Sequence, residues 1–209
     1  MATTSVQRAG TAGLVGGVLW ALLPVVFMVS LEDTARGTLA FVAVAAADWV
    51  VGALSLVLLL VAVSRLRAGL ADGGGRLGAV GVVVSGLALL AMVLGNGTEL
   101  TTLTVSGNES DLGHSAFLIG FLALVVGSVL LGIALLRGRG EPLVRWAGAL
   151  MVGMAPLGIG LGLLLNAVAP HTDLGFWAAI TVPYGVAWIL LGRALSASTR
   201  SRNTELANA

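Results

Sequence analysis

The chain has 209 residues, of which 57% are hydrophobic and only 10% are charged, and its mean hydropathy is +1.02. A soluble domain needs about 25% charged residues to cover its surface. The composition therefore excludes an ordinary soluble domain and predicts that apolar side chains face lipid. Cysteine is absent, which excludes disulfides, thiolate catalysis, iron–sulfur ligation and cysteine-type zinc sites.

Six apolar segments follow one another, and each is long enough to cross a bilayer, which takes about 20 residues. They cover residues 11–31, 38–64, 77–97, 115–136, 146–168 and 174–191. These runs lack the alternation of membrane-barrel strands. We therefore predict an all-α polytopic membrane protein with six transmembrane helices in a compact bundle. Residues 1–195 are predicted to form this one domain, and residues 196–209 a disordered cytoplasmic tail.

All eleven cations are arginines, and ten of them fall in alternate connections or termini. The ten are Arg8, Arg65, Arg67, Arg76, Arg137, Arg139, Arg145, Arg193, Arg200 and Arg202. They share their side with three acidic residues, whereas Arg36 shares the other side with seven. Because cytoplasmic loops carry the arginine excess, we predict that both termini are cytoplasmic. The absence of lysine beside abundant alanine, glycine and arginine is typical of high-GC bacteria, so we expect a bacterial inner (plasma) membrane.

A weak internal repeat accompanies this charge pattern. Arg8, Arg76 and Arg145 each precede an outward-running helix, at spacings of 68 and 69 residues. Two interpretations stay open: three tandem helical hairpins that arose by duplication, or the similarity that any six-helix chain of biased composition shows to itself. A duplication would make Asn96 and Asn166 equivalent positions near the outer ends of their helices.

Glycine and proline predict how the helices pack. The small-residue pairs within 13–17 and 158–162 let two helix backbones approach closely. We expect these pairs to pack within the chain, and a homo-oligomer formed through the glycine-rich faces is the alternative. Pro24, Pro156 and Pro183 lie inside spans, where each removes a backbone hydrogen bond and is predicted to bend its helix.

Polar side chains near the spans gather on the predicted outer side, which carries seven of the ten acidic residues. An ionisable group at the bilayer centre costs about 2.5–3.5 kcal/mol on insertion scales, so it tends to face a bundle interior or a wet cavity. The candidate catalytic acids are Asp48 and Glu99, and the candidate ligand-binding residues are Asn96, Asn166, Tyr184, His171 and His114. Structural roles are the alternatives: Asp48 as the interfacial helix end, Glu99 as a solvated loop acid, the histidines as capping groups, and Tyr184 bonded to a carbonyl freed by Pro183.

Several site classes lack their sequence patterns. The two histidines show no His-x-x-x-His or Glu-x-x-His spacing, so no metal site is predicted. The glycine-rich stretch 72–76 follows no strand and lacks the Gly-Lys-Ser/Thr of a phosphate loop. We therefore predict no cofactor and no nucleic-acid partner.

Two stretches resemble six-span membrane proteins common in actinobacteria. They are LLRGR (135–139) with RWAGA (145–149), and VPYGVAWILLG (182–192). The resemblance covers mainly the last three spans and implies the six-helix fold. Those proteins have no agreed activity, so the resemblance assigns no role to any residue.

Two classes of function fit these patterns. The first is a non-enzymatic membrane protein that binds or passes a small apolar or amphiphilic molecule, lipid-like or isoprenoid, or serves as a partner subunit. Its polar, acidic pocket would lie on the outer side. The alternative is an intramembrane enzyme, similar to terpene cyclases, in which Asp48 and Glu99 act as general acid and base on a lipid or isoprenoid. The lipid bilayer is the expected partner of both.

Overall fold

The computed structural model describes residues 2–32, 38–69, 75–108, 110–138, 141–168 and 174–207. These residues form seven α-helices with short connections between them. The helices are α1 (Ala2–Glu32), α2 (Leu39–Gly69), α3 (Gly75–Ser106), α4 (Asp111–Arg137), α5 (Pro142–Val152), α6 (Met154–Val168) and α7 (Leu174–Ala207). The all-α prediction is confirmed for this part of the chain.

Three helices are long and apolar enough to cross a membrane: α2 over Leu39–Ser64, α3 over Gly75–Leu103 and α4 over its whole length. The pair α5 and α6, bent by 68°, makes a fourth if it is counted as one span. Among the described residues this gives three or four spans where the sequence predicts six. Their outward surface is apolar, with Leu87, Ile119 and Leu163 exposed for 64%, 67% and 68%. Such a surface indicates a membrane-embedded helical protein.

The helices form a closed ring. Each consecutive pair from α1 to α5 is in contact, α5 and α6 both pack on α7, and α7 returns to α1. Each helix contacts at least two others. Their buried apolar side chains form a single core inside the ring. Its largest fully buried side chains include Trp20, Leu124, Met151, Tyr184 and Trp188.

Glycines allow α3 and α4 to pack closely against each other. On α4, Gly113, Gly120 and Gly127 recur every seven residues and face α3. A β-carbon on Gly127 would stand 2.7 Å from the Ser85 nitrogen, and one on Gly95 of α3 would stand 2.7 Å from the Gly113 oxygen. Since these neighbours are backbone atoms that cannot swing aside, the two helices touch main chain to main chain.

The predicted small-residue pairs also pack inside the chain. A β-carbon on Gly17 of α1 would lie 2.6 Å from the Gly185 oxygen of α7, and one on Gly13 would lie 3.1 Å from the Trp188 ring. Gly158 of α6 lies against the Ala179 oxygen of α7. These glycines therefore hold the ring together, and a second copy of the chain would have to dock on other faces.

The same contacts show that neighbouring helices run antiparallel. Gly10 and Gly17 of α1 meet Gly192 and Gly185 of α7, in reverse order along the chain. Gly132 near the end of α4 likewise meets Gly148 of α5, which follows after a short connection. Five exposed arginines consequently share one end of the bundle, which we call the arginine end; they are Arg8, Arg76, Arg137, Arg145 and Arg193. The opposite end is called the acidic end.

Two helix boundaries differ from the sequence prediction. The fifth predicted span is broken at Gly153, because Pro156 has no N–H to donate and its ring crowds the carbonyl of Val152. The resulting bend confirms the predicted effect of Pro156. The tail predicted to be disordered from Ser196 is helical through Ala207, since lengthening an existing helix requires no new nucleation.

Candidate functional site

Asp48 and Asn96 lie at the contact between α2 and α3, towards the acidic end. Asn96 is 1% exposed, and its Nδ2 donates a hydrogen bond of 2.9 Å to the backbone oxygen of Trp49. Gly52 allows this approach, because a β-carbon there would stand 3.3 Å from the amide nitrogen. Asp48 is 4% exposed. Within the described residues, its Oδ2 and the Asn96 Oδ1 are buried with no hydrogen-bond partner.

We expect the buried Asp48 carboxyl to destabilise the folded chain. A buried acceptor without a partner lowers the free energy of unfolding by about 1–3 kcal/mol. Leucine has the same branching as aspartate, so it can take the place of Asp48 without this polar group. We therefore expect Asp48→Leu to raise the free energy of unfolding by about 1–3 kcal/mol, measured by chemical unfolding in detergent. The control Asn96→Leu, which loses the bond to Trp49, should lower it by about 0.5–2 kcal/mol. A loss of stability in Asp48→Leu would show that this carboxyl has a structural role.

Glu99 connects the end of α3 to the start of α4. It is 2% exposed, and its Oε2 accepts a hydrogen bond of 2.9 Å from the backbone nitrogen of Ser110. Ser110 is the N-cap residue of α4, and its Oγ accepts a hydrogen bond of 3.1 Å from the Gly113 nitrogen. The exposed imidazole of His114 lies 3.9 Å from Oε1. The prediction that Glu99 is a solvated loop acid is wrong, because α3 continues to Ser106 and buries it.

A groove opens on the side of the bundle between α4, α6 and α7. The bend at Gly153 turns α6 aside, so that α6 lies against α7 and only lightly against α4. The groove has a volume of 370 Å³, and its walls include Phe121 and Val125 of α4 and Ile159 and Leu163 of α6. The last two are exposed for 65% and 68%, which places the mouth on the apolar outer surface.

Asn166 lies in this groove, towards its acidic end. Among the described lining residues it alone carries a polar side chain. Its Oδ1 rests against Gly175 at the start of α7, in the place where any other residue would carry a β-carbon. Asn166 is itself exposed. It therefore places one amide side chain at one end of an apolar groove.

Tyr184 lies in the core and in none of the sites above. It is 1% exposed and meets Trp188 edge to face, with ring centroids 6.2 Å apart at 77°. Ser128 and Trp188 supply the nearest polar groups, but within the described residues the hydroxyl makes no hydrogen bond of normal geometry. The predicted bond to a carbonyl freed by Pro183 is thus wrong. Packing of the aromatic ring accounts for this residue.

The structure distributes the predicted site residues over four places. They are the α2–α3 contact (Asp48, Asn96), the α3–α4 junction (Glu99, His114), the lateral groove (Asn166) and the core (Tyr184). His171 lies outside the described residues. Asn96 and Asn166, equivalent under a duplication, make unlike contacts. Across the described ranges no three acidic or histidine side chains lie close enough together to hold a metal ion.

Sequence reasoning missed the groove itself. Its signal was present in the run Pro156-Leu-Gly-Ile-Gly160, where a proline and two glycines interrupt an apolar span. A helix break in a membrane span parts the helix from a neighbour, and small residues leave the space unfilled. The position of Asn166 ten residues after this proline would then have marked the polar end.

No protein-family model matches this chain, and no curated protein and no solved structure matches it. The class of protein therefore follows from the helices and their surface alone. Apolar helices of membrane-spanning length, with apolar side chains turned outward, define a helical membrane-embedded protein.

Proposed function

We propose that this chain is a six-span protein of a bacterial plasma membrane that binds an amphiphile with one long apolar chain in the lateral groove. The amphiphile is lipid-like or isoprenoid, and its polar group lies at Asn166. The groove between α4, α6 and α7 is the observation that carries the proposal. Both termini and the arginine end would lie in the cytoplasm, in keeping with the arginine excess of cytoplasmic loops.

The two additional spans would be α1 and α7. Each contains an apolar run of the required length, 11–31 and 174–191. The two helices contact each other from Gly10 and Gly192 to Ala21 and Gly185, and α1 also packs on α2. A helix that lies lengthwise beside a membrane-crossing helix is most simply accommodated as a further crossing.

The groove suits an apolar chain in size and lining. Its 370 Å³ falls within the range of about 300–1,000 Å³ that is usual for small-molecule sites. Because the mouth opens on the lipid-facing surface, a ligand can enter from the bilayer without crossing water. A single amide at one end fixes the orientation of a molecule with one polar group, which is how mostly apolar sites obtain specificity.

The enzyme hypothesis receives less support from these contacts. It requires Asp48 and Glu99 to act on one substrate, yet Glu99 is bonded to the Ser110 nitrogen at the α3–α4 junction. Asp48 lies on α2, and neither acid is among the described residues of the groove. Binding therefore explains the geometry with fewer assumptions than acid–base catalysis.

A large side chain introduced on α6 would fill the groove and so test the proposal. Ala155 lines the groove, whereas Ala167 is another exposed alanine of α6 that is not among the described lining residues. We expect Ala155→Phe to lower capture of a photoactivatable long-chain fatty acid in proteoliposomes by roughly tenfold, because a phenyl ring occupies the volume of several methylenes. Peptide mapping by mass spectrometry should place the wild-type label on α4 or α6.

Ala167→Phe is the matched control and should leave labelling unchanged. Asn166→Leu should shift the label along the groove, because the polar group loses its hydrogen-bonding partner. Equal labelling of wild type and Ala155→Phe would refute binding in the groove. A label spread evenly over the lipid-facing residues would mean ordinary bilayer contact and would have the same consequence.

A further inference from the structure

A second groove lies at the arginine end, between α1 and α2. It has a volume of 490 Å³, and its described lining consists of Gln7, Arg8, Thr11, Ala12 and Val15 of α1 with Leu58 of α2. None of these residues belongs to the lateral groove between α4, α6 and α7. Lipid binding here does not depend on the lateral groove, but it rests on the part of the proposed function that places α1 across the membrane and the arginine end in the cytoplasm.

The lining changes from charged to apolar along the helix axis. Arg8 and Gln7 are exposed at the outer edge, and Val15 and Leu58 lie deeper. Gln7 and Val15 are eight residues apart, or about 12 Å along a helix. One leaflet of the hydrocarbon core is about 15 Å thick, half of the whole. The gradient thus matches the headgroup and upper acyl chain of one membrane lipid.

No acidic side chain among the described residues neutralises the charge of this groove. Within the described part of the chain, Arg8 makes no ion pair with an acidic side chain. The Thr11 hydroxyl already donates to the Gln7 carbonyl at 3.1 Å, so Arg8 and the Gln7 amide are left as donors. A guanidinium presents several N–H groups in a planar fork that matches a phosphate.

The helix contact beneath gives the groove a firm floor. A β-carbon on Gly16 would stand 3.0 Å from the Leu58 β-carbon, so α1 and α2 are in close contact there. An acyl chain laid along Val15 would therefore rest on packed helices. Basic pockets between membrane helices at the cytoplasmic side are a common form of anionic-lipid site.

We propose that the α1–α2 groove binds one phospholipid with an anionic headgroup. The phosphate accepts hydrogen bonds from Arg8 and Gln7, and an acyl chain lies along Val15 and Leu58. The ligand is a membrane lipid and not a free phosphate, because the deeper half of the lining is apolar.

The test compares lipids retained by the full chain. Protein reconstituted with equal amounts of phosphatidylglycerol and phosphatidylcholine is released into detergent, and native mass spectrometry counts the bound lipid. Wild type should retain phosphatidylglycerol in preference. Arg8→Gln should reduce this preference roughly fivefold, the effect of one arginine near a charged lipid surface. Arg8→Lys should keep most of it, and Val15→Trp, which fills the apolar half, should reduce retention of both lipids.

Arg145→Gln is the matched control, since Arg145 is exposed at the same end but lies outside the groove. It should retain phosphatidylglycerol as wild type does. An unchanged preference in Arg8→Gln, or an equal loss in Arg145→Gln, would overturn the proposal in favour of diffuse charge attraction. Displacement of the lipid by soluble glycerol phosphate would also overturn it, because the groove would then bind only a headgroup. Thermal unfolding of each variant confirms that the groove is intact.

Discussion

Gly95→Ala is expected to lower the free energy of unfolding by about 1–3 kcal/mol, which is the usual cost of overpacking. The added β-carbon would stand 2.7 Å from both the Gly113 oxygen and the Phe117 nitrogen of α4. Both are backbone atoms, so the whole of α4 must move to accept one methyl group. Chemical unfolding in detergent, followed by tryptophan fluorescence, measures the change.

Gly97→Ala is the matched control, two residues further along the same helix. A β-carbon there would meet nothing within 4 Å, and alanine favours helix over glycine by about 1 kcal/mol. We expect this variant to be as stable as wild type or slightly more so. If the two variants lost stability equally, the cause would be the glycine backbone itself, and the close contact between α3 and α4 would be wrong.

Glu99→Leu is expected to lower the free energy of unfolding by about 1.5–3 kcal/mol, the usual value of a hydrogen bond to a charged group. The change removes the acceptor of the Ser110 N–H and leaves that half-buried donor without its partner. Glu99→Gln keeps an acceptor oxygen in the same place, so a smaller loss is expected. Hydrogen exchange of amides in the first turn of α4 should accelerate in the leucine variant.

Glu141→Leu provides the comparison for this series. Glu141 is the exposed N-cap of α5 and makes no side-chain cap hydrogen bond, so the change should stay within about 0.5 kcal/mol. Photolabelling of the lateral groove should be unaffected in both glutamine and leucine variants of Glu99. Unchanged stability in Glu99→Leu would exclude a structural role and restore Glu99 as a candidate catalytic acid.

Hydropathy predicted where the helices lie better than where they end. It identifies the stretch of chain that is apolar enough for lipid, but a helix continues for as long as its backbone bonds are favourable. Residues 98–106 are polar in sequence, yet they extend α3 and carry Glu99 into a buried position. The sequence predicted a bend at Pro156 but not its size or the separation into two helices at Gly153. The bend was predictable because its physical cause is local.

The site was less predictable, since its contacts depend on which helices are neighbours. Burial of Asp48 follows from its apolar flanks, and the structure agrees. The bond from Asn96 to Trp49 spans 47 residues, and no single sequence specifies that pairing. The seven-residue spacing of Gly113, Gly120 and Gly127 is visible in the sequence and predicts a face for close packing, but it does not name α3 as the partner.

Closure of the ring between α1 and α7 has a consequence for biosynthesis. The glycine face of α1 at Gly10 and Gly17 receives its partner only after Gly185 and Gly192 have left the ribosome. At about 5–20 residues per second, the intervening chain takes on the order of 10–30 s to translate. During that interval the glycine face of α1 lacks the partner that covers it in the folded chain. Docking of α7 therefore closes the ring, and a chain truncated before α7 should leave this glycine face uncovered.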